Sequence, residues 1–134
     1  MVLVAAAGPA INIALAVAAA LAFHIVGYLS TTSAKWLAEN LKNALIINVV
    51  LAVFNLFPLP PLDGGRILVG ILPKAAAAPV ARLERYGMVI LIGLLIVLPL
   101  LGAQMGIDLS VISHALAIST RAIIEVILYV TGNI

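Results

Sequence analysis

The chain has 134 residues, enough for one domain and too few for two. Hydrophobic residues make up 65% of it and charged residues only 9%, against roughly 45–50% and about 25% in typical soluble domains. The absence of cysteine excludes a disulfide scaffold, a zinc finger and a thiol nucleophile. The net charge of +2 comes from scattered residues, so we expect no nucleic-acid partner. This composition is typical of a chain that lies in a lipid bilayer.

Apolar segments at about residues 2–29, 43–57, 86–101 and 109–130 are the candidate membrane spans, because a helix needs about 20 apolar residues to cross the hydrocarbon. For the last of them, a half-buried helix is the alternative. A signal peptide is the alternative for the first segment. That segment has no positive residue before Lys35 and is too long for a signal peptide, so we interpret it as a span.

The polar stretch at residues 30–42 is expected to be a loop or a short interfacial helix. Trp36 lies there between Lys35 and Glu39, and such an amphipathic ring favours a bilayer interface. The second span then runs from about residue 43 to 57, carries Asn48 and Asn55 inside it, and stops at Pro58.

Residues 58–66 contain three prolines and two glycines, which rules out a regular helix across the segment. Irregular backbone at membrane depth is tolerated only where protein covers it or where it lines a wet cavity. We therefore predict an all-α, polytopic transmembrane helix bundle of about four spans, forming a single membrane domain over residues 1–134. A Pro/Gly-broken re-entrant segment is expected at residues 58–66.

The basic residues of the short loops predict the orientation of the chain in the membrane. The region of residues 64–86 holds four basic residues and the region of residues 30–42 holds two, so the first is expected on the cytoplasmic side together with both termini. Residues 74–85 are Ala-rich and basic, which indicates a short surface helix. Gly87 and Gly93 in the third span allow a close helix contact.

Asp63 is the strongest candidate for chemistry. An ionised carboxylate near hydrocarbon is costly unless a cation, a metal or hydrogen-bond donors compensate for it. Three simpler interpretations stay open. Asp63 could begin a turn, cap the short helix that follows, or form a local ion pair with Arg66.

Other polar residues of the spans have structural and functional interpretations. Asn55 either bonds to a neighbouring helix or orients a ligand, and Asn12 is placed to bridge to the second span. His24 and His114 are expected to be interfacial histidines. Arg121 and Glu125 stand four residues apart and are expected to pair on the last helix.

Several catalytic motifs are absent. The chain has no H-E-x-x-H, which would place two zinc ligands and a general base on one helix. It also has no Gly-x-Ser-x-Gly elbow and no Gly-rich phosphate loop. By themselves, these residues are not expected to assemble a metal site with three ligands.

Three elements together resemble the site-2 protease family, the intramembrane zinc metalloproteases of the M50 type. They are A-A-G-P-A-I-N at residues 6–12, N-L-F-P-L-P-P-L-D-G-G-R at residues 55–66, and L-E-R-Y-G at residues 83–87. The resemblance is closest to the small bacterial branch that lacks a PDZ domain, and it covers nearly the whole chain in order.

The resemblance implies a role for each matching residue. Asp63 matches the aspartate that is the third zinc ligand, and Asn55 matches the asparagine that positions the substrate or the oxyanion. Pro58 and Gly64 match positions that break the helix so that the carboxylate faces the zinc, and Gly65 belongs to the same motif. Gly8, Pro9 and Asn12 match the helix that packs beside the catalytic one. The implied cofactor is Zn²⁺. The implied partner is a transmembrane or membrane-proximal protein substrate, and the implied location is a bacterial inner membrane.

The family's H-E-x-x-H lies upstream of the first of these elements. We therefore expect this chain to be the C-terminal part of such a protease, through a misplaced start, a truncation or a surviving remnant. Alone, it is expected neither to hold zinc tightly nor to cleave a substrate. A non-catalytic pseudoprotease that binds transmembrane partners is the alternative. A small transporter-like bundle, with Asp63 and Asn55 lining an ion path, is a third hypothesis.

Overall fold

The computed structural model describes all 134 residues and contains helices but no strand. We number the helices in chain order: α1 Val2–Val26, α2 Thr31–Asn55, α3 Asp63–Ile71, α4 Lys74–Leu83, α5 Gly87–Met105 and α6 Val111–Val130. Helices α1, α2, α5 and α6 are long and apolar enough to cross a membrane. The prediction of an all-α bundle with about four spans is confirmed.

The helix that contains the second predicted span is longer than we expected. It begins at Thr31 rather than near residue 43, so residues 31–42 are neither a loop nor a separate helix. Ala, Leu, Lys and Glu are frequent in this stretch and are strong helix formers, so the polar turns continue directly into the apolar ones. The other end is close to the expectation, because α2 stops at Asn55, shortly before Pro58.

The third span also differs at its end. Helix α5 continues to Met105 and stops where Gly106 adopts a left-handed conformation with φ of 72°, a common helix terminator. One π-helical turn at Gly93–Val97 lies inside α5. It precedes Pro99, which cannot donate a backbone hydrogen bond. The predicted surface helix corresponds to α4, which has no buried residue.

The core of the bundle lies between α1 and α2. Helix α1 contributes the small residues Ala16, Ala19 and Ala20, and small residues let two helix backbones approach closely in a membrane. Helix α2 contributes larger side chains, among them Leu45 and Val49, which pack against the alanines. From α6, only Ile127 is buried in this cluster.

The end of α6 is fixed to α1 by hydrogen bonds. The His24 Nε2 atom lies 2.8 Å from the Thr131 carbonyl oxygen, and the Asn133 side chain donates to the Ala20 carbonyl oxygen at 2.9 Å. His24, which we expected at an interface, therefore joins the first and last helices. It lies at the end of α1 opposite to the broken segment.

The broken segment is shorter than predicted. In this region, the non-helical residues are those between Asn55 and Asp63. Asp63 to Arg66 form the first turn of α3 instead of irregular backbone. The two glycines in that turn are compatible with a helix, whereas the prolines before it are not. Helix α3 runs back along the first half of α1, because Gly8 faces Asp63 and Val2 faces Gly70.

Candidate functional site

Glycines fix the position of the broken segment. A Cβ atom on Gly64 would overlap the carbonyl oxygens of Leu56 and Phe57, and one on Gly65 would overlap the backbone of Leu59 and Pro60. Because these neighbours are backbone atoms rather than flexible side chains, they cannot move aside easily. The first turn of α3 is therefore pressed directly against the segment that follows α2.

Gly87, the first residue of α5, contacts the same segment from another direction. A Cβ atom on Gly87 would overlap the Pro60 carbonyl group, so this glycine provides the close contact that we expected in the third span. Gly93, the other glycine of that pair, has no neighbour where its Cβ would be. The contact is thus made to an irregular backbone and not to a second long helix.

Asp63 is the first residue of α3 and is half-buried. Leu62 occupies the capping position, and no side-chain capping bond is present. Asp63 is therefore not the capping residue of α3, and that interpretation is wrong. Its carboxylate still lies in the first turn of the helix, where it interacts favourably with the helix dipole. The carboxylate faces α1: a Cβ atom on Gly8 would lie 3.0 Å from the Asp63 Oδ2 atom. Gly8 thus leaves the room that the carboxylate occupies.

Asp63 lines a cavity of about 480 Å³ between the start of α1, α3 and the end of α4. Most of its wall is apolar or small, and the charged residues on it are Asp63, Arg66 and Glu84. A carboxylate beside such a wall gains from any cation or donor that enters the cavity. This cavity is the candidate functional site.

An ion pair lies on the rim of the cavity. The Arg66 Nη2 atom is 3.4 Å from the Glu84 Oε1 atom, and both side chains are about half exposed. The alternative of a local Asp63–Arg66 pair is therefore wrong, because Arg66 instead pairs with Glu84, the residue just after α4. Sequence reasoning missed this contact. The sequence feature that indicates it is the opposite charge of Arg66 and Glu84, which lie on either side of the short turn at Pro73.

The other residues of the resemblance do not line this cavity. Pro9 is buried within α1, and Asn12 is half-buried one turn further on. Asn55 is the last residue of α2 and is also half-buried. The hydrogen-bonded asparagines are Asn40, Asn48 and Asn133; no bond joins Asn12 to α2 as we had expected.

The ionisable residues near and on the last helix lie apart from Asp63. His114 has an acidic neighbour that we did not expect, because its Nε2 atom lies 3.5 Å from the Asp108 Oδ2 atom. Arg121 and Glu125 form no ion pair with each other, which contradicts the prediction; the ion pairs in the chain are Arg66–Glu84 and Asp108–His114. His114, Arg121 and Glu125 line other cavities than the one beside Asp63.

The residues at the cavity fit part of a metal site. No group of three His, Asp or Glu side chains is close enough together to hold a metal ion, and a catalytic zinc site needs three protein ligands. Asp63 fits one of them, since a half-buried carboxylate with space beside it suits a divalent cation. The remaining ligands would have to come from outside these 134 residues, so no reaction step can be derived from this chain alone.

Comparison with known proteins adds independent information. The model of peptidase family M50 matches residues 21–100, more than half of the chain, and includes Asn55, Pro58 and Asp63. A putative zinc metalloprotease, YwhC of Bacillus subtilis (strain 168), is 42% identical over 50 residues. That match covers 37% of this chain and only 23% of the relative's length. No solved structure matches the chain.

Proposed function

The chain belongs to peptidase family M50, and from that premise we propose that it forms the C-terminal part of a site-2-type intramembrane zinc metalloprotease. The observation that carries the proposal is the Asp63 carboxylate, held at the break after α2, facing Gly8 and open to a cavity. The similarity to a putative zinc metalloprotease and the four helices able to cross a membrane support it.

In the proposed enzyme, Asp63 is one of three zinc ligands, and an H-E-x-x-H segment outside this sequence supplies two histidines and the general base. Bound zinc would supply an activated water, whose pKa it lowers to about 7. The residues of this chain position the carboxylate. Gly8 leaves space for it. Gly64 and Gly65, which have no side chain, let the first turn of α3 pack directly against the broken segment.

Asn55 has a proposed role in holding the substrate. Its side-chain amide offers two donors and one acceptor, and it stands where α2 ends and the backbone becomes irregular. A peptide strand that has left its helix needs such partners, because unpaired backbone groups are costly in a membrane. The proposed substrate is therefore a transmembrane or membrane-proximal protein segment, and the proposed location is a bacterial inner membrane with residues 64–86 on the cytoplasmic side.

The first test is the N-terminus of the protein as cells make it. We would place an affinity tag at the C-terminus of the protein, purify it from membranes and determine its intact mass and N-terminal sequence. The proposal expects a longer chain that includes an in-frame H-E-x-x-H. A product that begins at Met1 would contradict the catalytic role and favour the pseudoprotease alternative.

The second test concerns Asp63 in that longer protein. Asp63→Ala should reduce bound zinc from about one ion per chain to near zero, because a catalytic site that keeps two protein ligands holds zinc weakly. Asp108→Ala removes a carboxylate from an exposed turn and is the matched control, with zinc unchanged. Asn55→Ala should keep its zinc and lose about 10²-fold in kcat if its amide stabilises the oxyanion. Full zinc binding by Asp63→Ala would overturn the ligand assignment.

A further inference from the structure

Helix α6 carries an exposed stripe that nothing in the structure covers. Its members are spaced alternately by three and four residues, and all of them are exposed: Val111, His114, Ile118, Arg121 and Glu125. This is the heptad spacing of helices that pack side by side with a slight left-handed crossing. We call these five residues the α6 seam.

The charges of the α6 seam lie deep in the predicted membrane span. Arg121 is close to the middle of the 20-residue helix, about 15 Å from each end at 1.5 Å per residue. An arginine facing hydrocarbon at that depth costs at least about 2.5 kcal/mol. Glu125 lies one turn further on, and no ion pair within these 134 residues compensates either charge. A membrane helix with this seam therefore needs a protein neighbour.

The shape of the seam suits a helical neighbour. A groove of about 400 Å³ runs along it, and its walls include the small residues Ala117 and Ala122 beside Ile118. Small side chains on both flanks allow a second helix to approach closely. On the side that faces α2, Arg121 and Glu125 also border a second groove, of about 650 Å³, whose opposite wall includes Ile46 and Val50.

We propose that the α6 seam is the interface of a symmetric homodimer, in which Arg121 of each copy pairs with Glu125 of the other. The charge pattern favours a second copy over an unrelated helix because the seam is self-complementary: it carries one cation and one anion, one turn apart. A two-fold axis along the membrane normal keeps both copies in the same orientation and turns this single pattern into two reciprocal ion pairs. The offset along the helix is about 6 Å, within the reach of an arginine side chain.

The first experiment uses the absence of cysteine from these 134 residues. The full chain with Ile118→Cys, in native membranes, should crosslink to a second copy of itself. The matched control is Val126→Cys, an exposed residue of the same helix that lies off the seam, and it should not crosslink. Equal crosslinking at both positions, crosslinking only to a different protein, or none at all would overturn the proposal.

Charge reversal in the Ile118→Cys background then tests the pairing itself. R121E and E125R should each lose more than about tenfold of the crosslinked dimer, because each places like charges together in a desolvated interface. Co-expression of R121E and E125R chains with different tags should restore a crosslinked heterodimer, in which every charge again faces its opposite.

The heterodimer separates the proposal from a pair within one helix. If Arg121 and Glu125 served only each other in the same copy, both variants would remain damaged when they are mixed. The double variant R121E/E125R would then be the only rescue. Failure of the mixed rescue, or crosslinking that ignores the charges, would overturn the homodimer. Should one variant fail to accumulate alone, its accumulation with the other provides the same readout.

Discussion

The first and second halves of the chain differ in how closely their helices pack. In the most apolar 18 residues of α1 and of α2, 22% of the residues are buried. The corresponding fractions in α5 and α6 are 11% and 6%, so most residues of the second half are not buried. The first half closes around Ala16, Ala20 and Val49, all completely buried. In the second half, α6 buries only Ile127.

The difference separates two kinds of task. A zinc ligand has to be held in one place, and Asp63 precedes two glycines that pack directly against the backbone of the broken segment. An interaction surface has to be accessible, and the α6 seam is exposed along its length. The closely packed half therefore carries the residues of the proposed active site, and the open half carries the proposed interface. Each of the following predictions tests that division.

The largest effect is expected in the core between α1 and α2. Leu45→Ala should lower the free energy of unfolding by about 2–5 kcal/mol, because the surrounding helices cannot collapse fully into the space it leaves. The matched control is Leu100→Ala on α5, where the side chain is 61% exposed, and its effect should stay within about 0.5 kcal/mol. Reversible unfolding of the purified chain in detergent measures both. Similar losses would show that the second half packs as closely as the first.

A somewhat smaller loss is expected at the broken segment. Gly64→Ala places a methyl group against the carbonyl oxygens of Leu56 and Phe57 and should cost about 1–3 kcal/mol, as overpacking of a rigid site does. Gly93→Ala is the matched control, because its added methyl group meets nothing. Thermal unfolding of the two variants in the same detergent gives the comparison. A harmless Gly64→Ala would show that α3 can shift away, and that Asp63 is held less firmly than the contacts indicate.

The sequence was most informative where composition and strong chain-breakers act. Long apolar runs predicted the four candidate spans, and Pro58 with the prolines after it predicted the break after α2. These signals are local: apolar length and a missing backbone donor do not depend on what packs nearby. The resemblance likewise located Asp63, and the structure places it beside Gly8, another residue of that resemblance.

Tertiary contacts were the part that the sequence could not supply. Arg66 has an acidic residue three positions before it, yet it pairs with Glu84 because the turn at Pro73 brings α4 back onto α3. Arg121 and Glu125 have helical spacing, yet they do not pair. Spacing along a helix permits such a pair, but side-chain rotamers and neighbours decide whether it forms. The polar first turns of α2 were missed since polarity alone does not end a helix.

The smallest effect is expected in the turn before α6, where the polar contacts are local and open to solvent. The Ser110 backbone N–H donates to the Asp108 Oδ1 atom at 2.9 Å, and this bond, with smaller help from the Ser110 hydroxyl and from His114, holds the pKa of Asp108 below its usual range. A carboxyl whose pKa is lowered by folding stabilises the native state above its ordinary pKa of 3.8. It loses that contribution as the pH falls through the lower native pKa.

NMR titration of the Asp108 carboxyl in micelles should therefore give a midpoint below 3.8. Ser110→Ala should keep most of the lowering of the pKa, because the backbone donor remains. Asp108→Asn should remove this contribution to the pH dependence of unfolding, with little change near neutral pH because an exposed turn contributes little to stability. An ordinary pKa in the native chain would mean that the turn opens in solution, and that the start of α6 is looser than the rest of the second half. A full return to the ordinary pKa in Ser110→Ala would instead assign the shift to the hydroxyl.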